Sequence, residues 1–121
     1  MAVILIVEDD VFIRDIAEMM IQDHGHETIL ASDVEEAMVF LKSSRHIDAL
    51  FTDIYLKAEI LGGFDLAAKA ITLRPDLRVL YTTGNAVTAQ MKSQFVDGMK
   101  CLFKPYTPQQ LHDSVETMLA A

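Results

Sequence analysis

Five short apolar runs alternate with longer segments of helical periodicity along the sequence. The first run, residues 3–7, reads VILIV and is apolar at odd and even positions alike, which is typical of a strand covered on both faces in a parallel sheet. The segments between the runs carry apolar residues three or four positions apart, the spacing of one buried helix face. Because parallel strands need a crossover, usually a helix, this alternation predicts a parallel sheet covered by helices.

The predicted elements follow one another with short connections. Asp10 is placed to cap the first helix, Ser32 and Glu35 have the pattern of a capping box before the second, and Thr107 with Pro108 opens the last. Right-handed crossovers place helices on both faces of the sheet, so the predicted fold class is a doubly wound α/β domain. The predicted strands are residues 3–7, 28–31, 49–52, 79–82 and 101–103, and the predicted helices are 11–23, 32–41, 64–73, 87–96 and 108–119.

Length, composition and charge exclude several classes of protein. With 121 residues, of which 51% are hydrophobic, the chain is expected to form one domain over residues 1–121. A single cysteine, Cys101, excludes an internal disulfide. The formal charge of −8 opposes direct nucleic-acid binding and favours cationic partners. No apolar run approaches the roughly 18–20 residues of a membrane span, and no secretory signal is recognised, so we expect a cytoplasmic protein.

Polar residues follow four of the predicted strands, at the points where the strands end. Glu8 and Asp9 follow the first strand, Asp53 the third, Thr83 the fourth and Lys104 the fifth. Ligands of doubly wound sheets bind at this carboxyl edge. Two carboxylates about 4 Å apart repel by roughly 4 kcal/mol at an effective dielectric constant near 20, and Mg²⁺ is a cation that offsets such repulsion with an all-oxygen shell. The sequence therefore predicts a Mg²⁺ site.

The same cluster has the residue types that phosphoryl chemistry needs. Lys104 offers a mobile positive charge to a phosphoryl oxygen, or to Asp53 in its absence, and the hydroxyl of Thr83 can donate to another oxygen of that group. A carboxylate is a competent nucleophile toward phosphorus. Asp53 stands alone at the end of the central strand, which makes it the predicted acceptor.

The motifs VILIVEDD, LFTD, VLYTTG and LFKPY occur in this order, each at a predicted strand end. Together they resemble the response-regulator receiver domain of two-component signalling over the whole chain. The resemblance implies a flavodoxin-like, five-stranded sheet of order 2-1-3-4-5. It also implies an acidic pair, a phosphoacceptor, a switch hydroxyl and a conserved lysine, and a Mg²⁺ ion bound by the pair, the acceptor and a backbone carbonyl. These correspond to Glu8 and Asp9, Asp53, Thr83, Lys104 and the carbonyl of Tyr55.

The resemblance further implies a function. Such a domain takes a phosphoryl group from a phosphohistidine of a histidine kinase or histidine phosphotransfer protein onto Asp53, in a Mg²⁺-dependent reaction, and then changes its protein interactions. This is intrinsic chemistry of a signalling domain rather than that of a metabolic enzyme. A phosphorylation-dependent homodimer is left open, as is the choice between a stand-alone receiver and a segment of a hybrid kinase. The Tyr-Thr-Thr-Gly stretch at residues 81–84 is similar to a subgroup found with such sensory kinases.

The sequence departs from the family pattern at three places, one of which is Gly84, where the family usually has alanine after the switch hydroxyl. Lys57 stands four residues after the acceptor, where the family usually has proline, and is followed by Ala58; Gly62 and Gly63 come later than the usual glycine, which predicts a longer loop. Cys101 stands where an aromatic switch residue is common, so an aromatic swing at that position is not expected. Two alternatives follow: an interaction module that is never phosphorylated, and an aspartyl-phosphate phosphatase. The second would need another acid two residues after Asp53, where Tyr55 stands.

Overall fold

The computed structural model describes residues 2–56, 62–84 and 100–120. Their strands form one parallel sheet of order β2-β1-β3-β4-β5, which confirms the predicted doubly wound fold. The predicted helix at 87–96 and the loop around Ala58 lie outside these residues. The strands are β1 (Val3–Val7), β2 (Glu27–Ala31), β3 (Ala49–Asp53), β4 (Arg78–Thr83) and β5 (Lys100–Phe103), and the helices are α1 (Val11–Asp23), α2 (Val34–Lys42), α3 (Gly62–Leu73) and α4 (Pro108–Ala120).

Two hydrophobic cores cover the two faces of the sheet, because successive side chains of a strand point to opposite faces. Leu5 and Val7 of β1 pack with buried residues of α2 and α3, whereas Ile4 and Ile6 pack with those of α1 and α4. All four side chains are at most 1% exposed. Burying a Val, Leu or Ile side chain contributes about 1.5–3 kcal/mol, so the doubly apolar β1 stabilises both layers.

Side-chain caps fix where the helices begin, and one of the predicted caps is wrong. Asp10 accepts hydrogen bonds from the backbone N–H groups of Phe12 and Ile13, as predicted for α1. Thr107 and Gln110 cap each other at the start of α4, which confirms the predicted opening. The capping box predicted for Ser32 and Glu35 is displaced by one residue. The displacement arises because Asp33, not Ser32, has the extended backbone of a cap residue and accepts from the backbone N–H of Glu36. The carboxylate of Glu36 in turn accepts from the backbone N–H of Ser32.

The remaining boundaries differ little from prediction. The largest difference is at α3, which begins at Gly62 rather than at residue 64. Gly25, directly after the cap residue of α1, has a φ of 86°, a conformation that favours glycine. Among the described residues, the helices are too short or too polar to cross a membrane.

Candidate functional site

The carboxyl ends of β1, β3 and β4 bring the predicted site residues to one edge of the sheet. Val7 of β1 is in register with Thr52 of β3, so the residues that follow them, Glu8 and Asp53, are neighbours. Asp53 is in register with Thr82 of β4, and Thr83 comes next. The sheet register alone therefore gathers residues from distant parts of the chain.

Three carboxylates meet at this edge. Glu8, Asp9 and Asp53 each offer an oxygen atom, and these atoms lie within 4.8 Å of one another. Glu8 is 4% exposed and Asp53 is 6% exposed, so two of the three groups are largely removed from water. Mg²⁺ prefers carboxylate oxygens and keeps several waters, and this donor set fits it.

Lys104 bridges two of the carboxylates. Its Nζ atom donates to Oε1 of Glu8 at 2.6 Å and to Oδ2 of Asp53 at 2.7 Å. The backbone N–H of Lys104 donates to the carbonyl of Thr83 at 2.8 Å, which fixes the start of the lysine side chain beside β4. With Asp9, the cluster holds three carboxylates against one ammonium, a formal charge of −2 that a divalent cation would balance.

Burial and pairing shift the pKa values of the bridging groups. Burial raises the pKa of Glu8 above its usual range, and the nearby Asp53 charge adds to this, although hydrogen bonds from Lys104 and from the N–H of Asp10 act in the opposite direction. Burial works to lower the pKa of Lys104, but its hydrogen bonds to Asp53 and Glu8 outweigh burial and raise it. The lysine is therefore held in its charged form.

The second oxygen of Asp53 is also held. Its Oδ1 atom accepts from the backbone N–H of Tyr55 at 3.2 Å. The two oxygens thus have different partners, one the mobile ammonium of Lys104 and the other a backbone amide. The carbonyl of Tyr55 as a Mg²⁺ ligand stays a prediction, as do the roles of the other site residues.

Gly63 supports the site, and sequence reasoning missed this role. Its N–H donates to the carbonyl of Ile54 at 3.0 Å, which packs the first turn of α3 directly against the end of β3. A Cβ atom at this position would overlap the backbone oxygen of Asp53 and lie 2.8 Å from Cα of Ile54. The Gly-Gly pair was the available signal, because a glycine that opens a helix often marks a close approach of two backbones.

Tyr106 is a second residue that sequence reasoning missed. Burial raises the pKa of its hydroxyl to about 12. The charge of Lys104 acts in the opposite direction, and the charges of Glu8 and Asp53 add to the rise. Its ring packs edge-on against Phe51 at a centroid distance of 6.3 Å. At the predicted switch position, Cys101 is partly buried against one of the two cores, and burial raises its thiol pKa to about 11.

The strand order and this edge define a class of protein, namely doubly wound α/β domains whose carboxyl edge suits a divalent cation and a phosphoryl group. Residues 4–116 match the family described as the response regulator receiver domain. The chain belongs to this family, whose members act in two-component signal transduction and bind Mg²⁺ through an acidic pocket.

Similar proteins come from several signalling systems. A response regulator receiver protein from Sinorhizobium medicae has 28% sequence identity and a TM-score of 0.90, with 99% of this chain and 95% of that chain covered. The receiver domain of the hybrid histidine kinase CckA has 26% identity and a TM-score of 0.79, with 97% and 98% covered. The uncharacterized transcriptional regulatory protein YbdJ of Bacillus subtilis is 26% identical over 117 residues, which are 96% of this chain and 50% of YbdJ. The chain thus spans half the length of this curated relative.

Proposed function

We propose that residues 1–121 act as a single receiver domain that accepts a phosphoryl group on Asp53. The donor is a phosphohistidine of a histidine kinase or a histidine phosphotransfer protein, reached in the cytoplasm. The observation that carries the proposal is the bridge from Lys104 to both Asp53 and Glu8 at 2.6–2.7 Å, beside a third carboxylate. This arrangement places a positive charge next to an oxygen of Asp53. The cluster keeps a net negative charge, which a dication would balance.

The reaction is a displacement at phosphorus. An oxygen of the Asp53 carboxylate forms the new P–O bond while the P–N bond of the phosphohistidine breaks, and the imidazole leaves with the electron pair. Asp53 suits the nucleophile because its Oδ1 is oriented by the N–H of Tyr55 and its Oδ2 lies at the end of a mobile lysine side chain.

Glu8, Asp9, Asp53 and the carbonyl of Tyr55 would hold Mg²⁺, which neutralises charge on phosphoryl oxygens when bound. Lys104 would exchange a carboxylate partner for a phosphoryl oxygen, since its ammonium has three donors on a flexible stem. Thr83, which is fully buried at the end of β4, would donate its hydroxyl to another phosphoryl oxygen. The movement of Lys104 and Thr83 would shift a two-state equilibrium that changes protein binding.

Phosphorylation by acetyl phosphate tests the proposal. With Mg²⁺, we expect intact-mass spectrometry to show one added phosphoryl group on the wild type and none on Asp53→Asn. Asp65→Asn is the matched control, because Asp65 is an exposed aspartate paired with Lys69 on α3. A wild type that gains no mass, or an Asp53→Asn variant that gains as much as the wild type, would refute phosphorylation at Asp53. The first outcome favours the non-phosphorylated interaction module.

Magnesium binding is tested separately by thermal unfolding. Mg²⁺ should raise the melting temperature of the wild type by mass action and leave that of Asp9→Ala nearly unchanged. Asp10→Ala serves as the control, because Asp10 caps α1 through Phe12 and Ile13. We expect this variant to lose about 1 kcal/mol of stability and to keep its response to Mg²⁺. Sedimentation with and without beryllofluoride then decides whether the activated form dimerises.

A further inference from the structure

Thr82 of β4 carries a buried hydroxyl group that the proposed phosphoryl chemistry does not use. The residue is 3% exposed, and its Oγ1 atom makes no hydrogen bond within the described part of the chain. A buried polar group without a partner destabilises a folded protein, whereas valine has nearly the same shape and lacks this cost. The hydroxyl therefore indicates a role that packing alone does not explain.

The register of the sheet places Thr82 beside Asp53. The two residues are partners on β4 and β3, and neighbouring strands lie about 4.7–4.9 Å apart. Two residues earlier, Leu80 and Phe51 are also partners, and both pack in the core that contains residues of α1 and α4. Because side chains alternate between the two faces of a strand, Thr82 and Asp53 point to this same face. The Thr82 hydroxyl is therefore a neighbour of the Asp53 carboxylate.

Lys104 reaches Asp53 across the strand that carries Thr82. Its backbone N–H donates to the carbonyl of Thr83 at 2.8 Å, and its Nζ atom donates to Oδ2 of Asp53 at 2.7 Å. The lysine side chain thus passes over the end of β4. A charged donor forms a stronger hydrogen bond to a carboxylate than a neutral hydroxyl does. The structure shows a state in which Lys104 holds Oδ2 and the hydroxyl beside this oxygen is unused.

Given the phosphoryl transfer proposed above, on which this inference rests, we propose that Thr82 is a further residue of the phosphorylation site. Its hydroxyl donates to Oδ2 of Asp53 after Lys104 has moved to the phosphoryl group. The new P–O bond forms at Oδ1 as the P–N bond of the phosphohistidine breaks, so Oδ2 remains as the carbonyl oxygen of the acyl phosphate and can accept. Rotation about one side-chain torsion is enough to redirect a threonine hydroxyl.

This hydrogen bond favours one of the two states of the domain. The hydroxyl of Thr82 is unpaired in the resting state and paired in the phosphorylated state, so it stabilises the second state relative to the first. Thr83 would donate to a phosphoryl oxygen and Thr82 to the carboxyl oxygen, so the two adjacent hydroxyls have different partners. Thr82→Val removes the hydroxyl and keeps the shape, which separates this role from packing.

Titration with beryllofluoride at saturating Mg²⁺ tests the proposal, with NMR chemical shifts as the readout. Beryllofluoride takes the place of the phosphoryl group on Asp53. We expect Thr82→Val to bind it about 5- to 10-fold more weakly than the wild type, which corresponds to the loss of one hydrogen bond. Thr82→Ser keeps a hydroxyl and should restore most of the wild-type affinity.

Thermal unfolding without Mg²⁺ or beryllofluoride measures the resting state. Thr82→Val should melt at the same temperature as the wild type or higher, because the variant loses an unpaired buried group. Thr28→Val is the matched control, because Thr28 also lies on a strand but its hydroxyl donates to Glu18 at 3.1 Å and accepts from Gln22 at 2.9 Å. This variant should melt at a lower temperature and bind beryllofluoride as the wild type does.

The wild-type titration distinguishes the failure of this proposal from that of the proposed function. A wild type that does not bind beryllofluoride refutes both. A wild type that binds, together with a Thr82→Val variant of equal affinity, refutes only the role of Thr82. That role is also refuted if Thr82→Ser binds as weakly as Thr82→Val. It is refuted as well if Thr82→Val melts well below the wild type or does not fold, since the hydroxyl would then be structural.

Discussion

Lys104 and Asp53 form a direct ion pair across the end of β4, with Nζ and Oδ2 2.7 Å apart. Asp53 is the last residue of β3 and Lys104 follows β5, so one strand separates them in the sheet. Two strand spacings amount to about 9–10 Å, a gap that the lysine side chain, the aspartate side chain and the 2.7 Å contact between them span together. Asp53 is therefore in direct contact with the segment between β5 and α4.

Replacing Lys104 tests how much this ion pair stabilises the fold. Lys104→Ala leaves two buried carboxylates without their cation, and we expect the free energy of unfolding at neutral pH to fall by about 2–4 kcal/mol. Added Mg²⁺ should recover part of the loss, because it supplies the missing positive charge. Chemical denaturation with and without Mg²⁺ measures both effects.

Lys69→Ala is the control for Lys104→Ala. Lys69 also forms an ion pair, at 2.9 Å with Asp65, but both side chains are more than half exposed. Exposed pairs contribute little, so this variant should lose less than about 0.5 kcal/mol. Equal losses in the two lysine variants would contradict a special role for Lys104.

The sequence was sufficient for the fold and for the membership of the acidic edge. The doubly apolar pattern of β1 predicts burial on both faces, and strand ends alone bring Glu8, Asp53 and Lys104 to one edge because parallel strands share a direction. The sequence was not sufficient to predict contacts that are set by three-dimensional packing. The Gly-Gly pair signals a close approach of two backbones but does not name Asp53 as the partner, and the stacking of His24 on His112 depends on how the helices dock.

Gly63→Ala should damage both stability and the site. The added methyl would overlap the backbone of Asp53 and crowd Ile54, neither of which can move without disturbing the end of β3. We expect a loss of about 1–3 kcal/mol or more, together with a weaker Mg²⁺-induced rise of the melting temperature. Thermal unfolding at several Mg²⁺ concentrations measures the two effects together.

Gly25→Ala separates backbone strain from steric overlap. Gly25 has a φ of 86°, but a Cβ there would meet nothing within 4 Å. Its replacement should cost about 1–2 kcal/mol through strain alone and leave the Mg²⁺ response intact. A Gly63→Ala variant with an unchanged Mg²⁺ response would show that Asp53 tolerates the displacement.

Arg74, which directly follows α3, binds the backbone carbonyls at the end of α2. Its guanidinium donates to the carbonyls of Leu41, Ser43 and Arg45 at 2.7–3.1 Å, and more weakly to that of Phe40. Hydrogen bonds from a charged donor contribute about 1.5–3 kcal/mol, so Arg74→Ala should lose about 2–3 kcal/mol. Hydrogen exchange should accelerate around residues 40–45 before the rest of the domain.

Arg74→Lys gives the sharper comparison. A lysine keeps the positive charge but cannot reproduce the planar fork that reaches several carbonyls, so we expect it to restore less than half of the lost stability. Arg45→Ala is the control, because the Arg45 guanidinium lies over the Phe40 ring, 5.6 Å from its centroid, and does not take part in the hydrogen bonds from Arg74. Full stability in Arg74→Lys would mean that the positive charge alone is enough to stabilise the end of α2.

Cys101 should be unusually slow to alkylate in the folded protein. Burial, together with the nearby Asp53 charge, raises the pKa of its thiol from 9.0 to about 11, so near pH 8 the reactive thiolate is about 100-fold scarcer than in the unfolded chain. The iodoacetamide rate should begin to level off above pH 9 when the chain is unfolded in urea, and should keep rising toward pH 11 when it is folded. Since the chain has a single cysteine, the rate reports on this thiol alone.

Asp53→Asn removes the neighbouring charge and should moderately increase the folded-state rate, whereas Asp65→Asn should not. A folded protein that reacts as fast as the unfolded chain would show that the thiol is not shielded by its packing against the core.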